Sequence, residues 1–500
     1  MLTLSLAKCI NATKNGEFSI RDLDLIDPLS YDDVIFLSEY LKITPVTGLD
    51  LSMTVTKENS EALESLGQVI AQNSLLKKLV FEVTLNFDFY FKDKLPIGLF
   101  DFIDEYRLKK IATRVHNTFI SMLNNKPALN KLTVDLLSLE THLENKHIRG
   151  LTQAVNKSPL TYLNLALSVD KGAQIPLFNT KQPNQSLRFL MLRGFTSGRD
   201  VLKYLPQASA LKMLAIGDML FDKDDLPLLD QIMKANPSLD TLILGKTNIG
   251  QINSPRVFSW LTSCPKLNSL ALVENNLSLL NIESLCEFLA SAPETLKELD
   301  LSKNAYMAGD AIKIAKALAS NTHLEELVLD DNYIEDEGLQ AIINLVKTNK
   351  NITSISVSNT CRYNPSNETI RLLCDLLLDP QCQLKELKFN QDITLAQYLM
   401  VQYALDSNNS LEFIDIKFRN QNILEMIFGK NNSSDLSNHE FSTDNPVTTD
   451  NTNHKEERLS DSLNHPTIKS TKLFSPPPQN RDEDNGKQLA PLSNHGVGLH

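Results

Sequence analysis

No apolar run in the 500 residues approaches the ~20 that a bilayer-spanning helix needs. Met1 to Ala7 is mildly apolar but too short for the core of a secretory leader, and no basic residue precedes it, so no export leader is expected. Positive charge is in deficit. The chain has 49 Lys and Arg against 61 Asp and Glu, a formal charge of −12, which disfavours nucleic acid and anionic membranes as partners. Cysteine is scarce and scattered: Cys9, Cys264, Cys286, Cys361, Cys374 and Cys382 form no C-x-x-C or other compact metal spacing. They read as buried or free thiols of a reducing, intracellular compartment.

The motifs of common chemistry are missing as well. The chain has no G-x-x-x-x-G-K-[ST], no G-x-G-x-x-G after a strand, no H-E-x-x-H and no G-x-S-x-G. Five of the nine histidines lie beyond residue 430, and His116, His142, His147 and His323 are dispersed over the rest. His142 and His147 are five apart, a poor same-face spacing for a metal, so these histidines read as solvated surface residues. No cofactor and no metal is expected, and the chain reads as a non-enzyme.

Self-similarity is what the chain does have. Leu324, Leu327, Leu329, Asn332, Ile334 and Gly338 spell L-x-x-L-x-L-x-x-N-x-I-x-x-x-G. Leu296, Leu299, Leu301, Asn304 and Gly309 repeat the pattern, as do Leu267, Leu270, Leu272, Asn275 and Leu277. Counting outward places unit starts at Ile20, Val46, Leu76, Leu129, Leu160, Leu187, Leu211, Leu239, Leu267, Leu296, Leu324, Ile352, Leu384 and Leu411, with 28-residue steps recurring in the middle. Such a chain escapes the limit of one compact core, ~250–300 residues, by growing in one dimension. In each unit the leucines at positions four and six alternate along a short strand and face one side. The Asn at position nine closes the turn, its amide serving backbone groups there. Thr54, Thr84, Ser168, Thr247 and Thr360 replace it elsewhere, while Phe195 and Met219 are poor substitutes. Asp336 suits a helix N-cap, and Leu339, Ile342, Ile343, Leu345 and Val346 suit the inner side of the helix that follows.

This pattern resembles the ribonuclease-inhibitor-like class of leucine-rich repeats over about residues 18–428. The resemblance implies an α/β fold, a leucine-rich-repeat solenoid curved as a horseshoe, with parallel strands on the concave face and helices on the convex face. About 14 degenerate units are expected over 20–430, preceded by an N-terminal cap segment at 1–19. The stretch 84–128 is too long for one ordinary unit and reads as an enlarged repeat or an inserted segment. It carries Phe87, Phe89, Tyr90, Phe91, Phe100 and Phe102, then Ile103, Tyr106, Ile111, Val115, Phe119 and Met122 at helical spacing. Ile423 to Phe428 looks like a last apolar patch closing the stack. Residues 431–500 hold only 12 Leu, Ile, Val or Phe, about 17%, below the ~20% that marks poor core formers, and are expected to be a disordered polar tail.

That tail carries the acidic cluster Asp482, Glu483 and Asp484, then small and polar residues with Val497 near the end. It is similar to the C-terminal signals of leucine-rich-repeat effectors that intracellular bacteria deliver by type IVB secretion, which implies translocation into a host cytoplasm. Two enzyme-linked families share the repeat. Bacterial leucine-rich-repeat ubiquitin ligases carry a separate domain with a nucleophilic Cys, but Cys374 sits beside Leu373 and Leu376 in a repeat helix and reads as core. Activators of the nuclear-transport GTPase share the repeat class, and Arg21 and Arg193 are the arginines that alternative would use.

The strand pattern also yields a candidate surface. Unit positions three, five and seven should line the concave face. They give an apolar centre with Tyr162, Phe189, Met191, Met213 and Ile243, beside Arg193. An acidic flank follows with Glu298, Asp300, Glu326 and Asp330, and Asp22, Asp24 and Asp50 stand at the other end. The expected function is non-enzymatic recognition of a protein partner with a basic surface, by a monomer. A structural adaptor binding through the tail or through 84–128 is the remaining alternative.

Overall fold

The computed structural model describes residues 22–416, apart from 26–28, 45, 86–96, 125, 140–141, 170–173, 179–182, 196–197, 255–256 and 279–280. All of them belong to the first of two compact units, Met1–Asp450. The expected cap at 1–19, the aromatics at 87–91, the patch at 423–428 and the tail at 431–500 lie outside the described residues, as do Arg21 and the side chains of Asp22, Asp24, Phe100, Phe102, Ile103 and Tyr106.

Among the described residues, fourteen strands form one sheet in sequence order. They are β1 (Asp22–Leu25), β2 (Gly48–Val55), β3 (Lys78–Leu85), β4 (Lys131–Asp135), β5 (Tyr162–Val169), β6 (Phe189–Phe195) and β7 (Met213–Gly217). Then come β8 (Thr241–Gly245), β9 (Ser269–Val273), β10 (Glu298–Asp300), β11 (Glu326–Val328), β12 (Ser354–Ser356), β13 (Glu386–Lys388) and β14 (Phe413–Asp415). Each begins two residues after a unit start read from the leucines. Every neighbouring pair is parallel, and third positions face third positions: Tyr162 pairs with Phe189, Phe189 with Met213, and Glu298 with Glu326. A parallel pairing needs a crossover between its strands, and helices of successive crossovers pack on one another, as α2 does on α3 and α8 on α9.

The crossovers carry α1 (Tyr31–Ile43), α2 (Lys57–Gln72), α3 (Ile97–Leu123), α4 (Asn145–Lys157), α5 (Arg199–Leu202), α6 (Leu226–Ala235), α7 (Ile282–Ala290), α8 (Ala308–Leu318), α9 (Glu335–Thr348), α10 (Asn367–Leu378) and α11 (Leu395–Asp406). Strands stack ~4.8 Å apart whereas packed helices need ~8–10 Å, so the stack bends with its strands on the inner, concave side. Not every unit has a full outer helix. The unit from Leu187 spans 24 residues and has, among the described residues, only the one-turn α5 and a 3₁₀ turn at Leu205–Gln207. The unit from Leu239 carries Pro255 and two 3₁₀ turns, Ile249–Gln251 and Ser259–Ser263.

The repeat leucines build the core between the layers. Leu239, Leu242 and Leu244 are buried, as are Leu267, Leu270 and Leu272 in the next unit and their equivalents in the units that follow. The inner faces of the helices complete it, with Leu339, Ile342, Ile343, Leu345 and Val346 all buried. Phe195 and Met219 occupy the turn slot as buried core groups. Between β3 and β4, which pair directly, runs the 27-residue α3, and its Ile111, Val115, Phe119 and Met122 are buried.

The turn asparagines act across units. Asn275 Oδ1 accepts from the Thr247 N–H at 2.8 Å, and its Nδ2 donates to the Leu244 carbonyl at 2.8 Å. Asn304 Oδ1 accepts from the Asn275 N–H at 2.9 Å. Just before this slot the chain passes through the left-handed region at Asp218, Lys246, Glu274, Lys303, Asp331 and Asn359, one residue in each of six successive units. Asp336 does not cap its own helix. α9 begins at Glu335 after Ile334, and the Asp336 carboxylate accepts from the Ser366 N–H at 2.7 Å and the Thr369 hydroxyl at 2.6 Å in the next unit. Both bonds use Oδ1, and Oδ2 accepts from Gln340 Nε2 at 3.0 Å on α9 itself.

Candidate functional site

The concave face is a grid of rows, each made by one unit position running across the strands. Position three gives Lys78, Lys131, Tyr162, Phe189, Met213, Thr241, Ser269, Glu298, Glu326, Ser354 and Glu386. Position five gives Asn164, Met191, Ala215, Ile243, Ala271 and Asp300. Side chains one rung apart in a row are close enough to cover one another.

That closeness corrects the expected apolar anchors. Met191, Met213 and Ile243 retain only 5%, 2% and 2% of their exposure, so they hold the face together and offer a partner no area. Tyr162 and Phe189 are half-buried, their ring centroids 6.2 Å apart, and the Tyr162 hydroxyl reaches Met191 Sδ at 3.5 Å. Burial pushes the Tyr162 phenol up, partly countered by hydrogen bonds with Thr133 and Asn164. Arg193 is half-buried beside Asp218, Nε to Oδ2 3.4 Å. Lys246 continues this line of alternating charge, 3.9 Å from Asp218 and 3.6 Å from Glu274. An arginine committed to such a pair is poorly placed to reach a nucleotide.

The acidic flank divides into two kinds of residue. Asp300 is buried and accepts from the Ser302 N–H at 2.9 Å and its hydroxyl at 2.6 Å. Asp330 accepts from the Ser356 hydroxyl at 2.7 Å and the Ser358 N–H at 2.7 Å. Burial raises the Asp330 carboxyl, opposed by those same bonds. Both aspartates are joints of the turn. Glu298 and Glu326 stand opposite each other in register, both half-buried. Burial raises the Glu326 carboxyl first, and Glu298 raises it next; Lys388 lowers it, while Glu386 and Asp300 raise it further. At the other end Glu82 is raised by burial and then by Asp135 and Asp50, with Lys78 3.5 Å from Asp50.

Other polar groups sit where sequence reasoning did not put them. His116 and His147 are buried, ring centroids 5.3 Å apart across α3 and α4, and are not solvated surface residues. His147 Nε2 lies 3.0 Å from Asn117 Oδ1, and His147 Nδ1 accepts from the Glu144 N–H at 3.3 Å. Burial lowers His116 to about 4, with His147 adding to the fall. Two positions 31 residues apart give no local signal of this contact. Lys126 is buried too, and its ammonium donates to the carbonyls of Ile70, Ala71 and Asn73 at 2.6, 3.0 and 2.9 Å.

Thiol chemistry finds no support at Cys374, which is buried with its pKa raised, the reverse of an activated nucleophile. Burial likewise drives Cys264 up to about 12 and Cys286 up to about 11. Among the described residues no group of three or more His, Cys, Asp or Glu could hold a metal, and no helix is long and apolar enough to cross a membrane.

Comparison with known proteins gives a match of residues 320–342 to the leucine-rich-repeat model. The human NACHT, LRR and PYD domains-containing protein 5 is 31% identical over 98 residues, 19% of this chain, and the match spans only 8% of that relative's length. Among solved structures, an internalin from Listeria monocytogenes covers 82% of this chain and 95% of its own, at 16% identity and a TM-score of 0.40. The leucine-rich repeat-containing protein LegL7 from Legionella pneumophila covers 81% and 96% at 16% identity and a TM-score of 0.31. The actin-binding site 2 of leiomodin-1 covers 29% and 82% at 21% identity and a TM-score of 0.26. Fourteen strands in one parallel register, leucines buried at positions one, four and six, and the matched repeat give the described residues the leucine-rich-repeat solenoid fold.

Proposed function

We propose that the chain is a non-enzymatic recognition scaffold whose concave face binds a protein partner with a basic surface. One observation carries this reading: Glu298 and Glu326 are held side by side in register and half-buried. Like charges directly opposite one another destabilise a sheet, and burial makes the cost larger. A cationic partner relieves that cost, so its binding energy includes the repulsion the free protein tolerates. Tyr162 and Phe189 supply aromatic contact area, and Arg193 sets the polarity at the edge of the aromatic pair. Delivery into a host cytoplasm belongs to the same proposal and is supported by the acidic cluster Asp482, Glu483 and Asp484. A translocation reporter fused to residues 431–500 tests it.

The test of recognition is affinity capture with the full chain beside a variant carrying Tyr162→Ala, Phe189→Ala, Glu298→Lys and Glu326→Lys. Met191 and Asp330 are left alone because they hold the fold. A partner identified on the parent and lost from the equally stable variant supports the reading. Equal capture by both contradicts it.

A further inference from the structure

We propose that the strand-to-helix rim of the units starting at Leu296, Leu324 and Ile352 is a second docking surface, and that it takes an arginine-bearing segment of a protein partner. Three large side chains stand out on adjacent rungs of this rim. Met307 is 60% exposed, Tyr333 51% and Tyr363 77%. Single exposed apolar groups are ordinary, but three on neighbouring rungs make a patch.

The backbone ties the rungs together. Met307 and Tyr333 form a parallel bridge, and the Tyr333 N–H donates to the Tyr306 carbonyl at 2.8 Å. The Glu335 N–H donates to the Thr360 carbonyl at 3.1 Å, and Glu335 Oε2 accepts from the Arg362 N–H at 3.1 Å, which sets Tyr363 on the next rung. Met307, Glu335 and Tyr363 share unit position twelve.

Charge selects the occupant. The Asp310 carboxylate accepts from the Met307 N–H at 3.0 Å and Glu335 from the Arg362 N–H, and the exposed Asp331 and Glu337 lie within four residues of Tyr333, against Lys303 and Arg362. The starts of α8 and α9, which would otherwise favour an anion, already carry acids in their first turns. A guanidinium suits both features, because it stacks flat on a tyrosine face while its edge binds a carboxylate in a fork. An ammonium uses only the charge. The surface is separate from the concave rows, so it stands or falls independently of the reading above.

The test is fluorescence anisotropy of the full chain with a labelled peptide alternating arginine and leucine, beside versions with citrulline or lysine in place of arginine. Gly309 offers a clean block, since a Cβ there meets nothing within 4 Å. The arginine peptide is expected to bind at least tenfold tighter than the citrulline one and several-fold tighter than the lysine one. Tyr333→Ala and Tyr363→Ala should each weaken it about fivefold, and Gly309→Trp should weaken it at least tenfold with an unchanged thermal midpoint. Glu298→Lys with Glu326→Lys should leave it within about twofold. No binding, equal binding of the citrulline peptide, or loss in the concave variant with none in the rim variants overturns the proposal.

Discussion

The backbone N–H of Asn304 donates to Oδ1 of Asn332, 28 residues on, at 2.9 Å. The same oxygen accepts from the Tyr306 N–H at 3.1 Å, and the Asn332 amide donates to the Leu329 carbonyl at 2.8 Å. One buried side chain thus satisfies two neighbouring donors and closes its own turn. Asn332→Ala strips both donors of their partner, and leaving each buried group unpaired costs about 1–3 kcal/mol. Chemical denaturation should show a loss of about 3 kcal/mol, whereas Glu64→Ala on the exposed side of α2 should stay within about 0.5 kcal/mol.

Acid should loosen the α3–α4 contact. The unfolded chain protonates His116 near 6.5, the folded chain only near 4, because burial and His147 oppose the charge. Between those values the unfolded state binds more protons, so stability is full above about 6.5 and falls as pH drops toward 4. The groups near the pair are Glu144, which raises His116, and Lys146, which lowers it. Thermal midpoints recorded from pH 7 to pH 4 should drop steeply in the parent, and His116→Leu should flatten that part of the curve.

Gly250 and Gly309 should respond oppositely to alanine. A Cβ on Gly250 lies 2.3 Å from the Asn276 carbonyl oxygen and 2.4 Å from that of Asn275, both backbone atoms that cannot step aside cheaply. Gly250→Ala should cost more than about 2 kcal/mol by strain and backbone shift. Gly309 stands in the first turn of α8 with open space around it, so Gly309→Ala should be neutral or stabilise by up to about 1 kcal/mol. Parallel urea melts of the two variants check the pair.

Lys126 closes the carboxyl end of α2 from a later unit, donating to the carbonyls of Ile70, Ala71 and Asn73, the first of which also accepts from the Asn73 N–H. Lys126→Met keeps the length and removes the donors. Loss of charge-assisted bonds to buried carbonyls should cost about 2–3 kcal/mol. Hydrogen exchange should quicken first at the last turn of α2.

The strands were legible because a leucine at positions one, four and six has one physical reading, and that reading repeats. From Asp22 to Phe413 each strand starts where the spacing puts it. The burial of Met191, Met213 and Ile243 was not legible, because it depends on what stands one rung away, and a 28-residue offset carries no local periodicity. His116 and His147 were missed for the same reason. Asp336 has the residue type and place of an N-cap, but its geometry serves Ser366 and Thr369 of the next unit. Glu298 and Glu326 were legible as a flank because position three repeats in both units. Beside them Asp300 turns back on Ser302 of its own loop and Asp330 reaches Ser356 and Ser358 of the next unit, contacts that the strand pattern alone does not show.

Site-specific photocrosslinking tests the concave-face account most directly. A benzophenone amino acid replaces Phe189 in one protein and Tyr403, 71% exposed on α11, in another. Each is irradiated with the captured partner. The account predicts an adduct from position 189 that excess unlabelled parent protein competes away, and none from position 403. An adduct from position 403 with none from position 189 would contradict it.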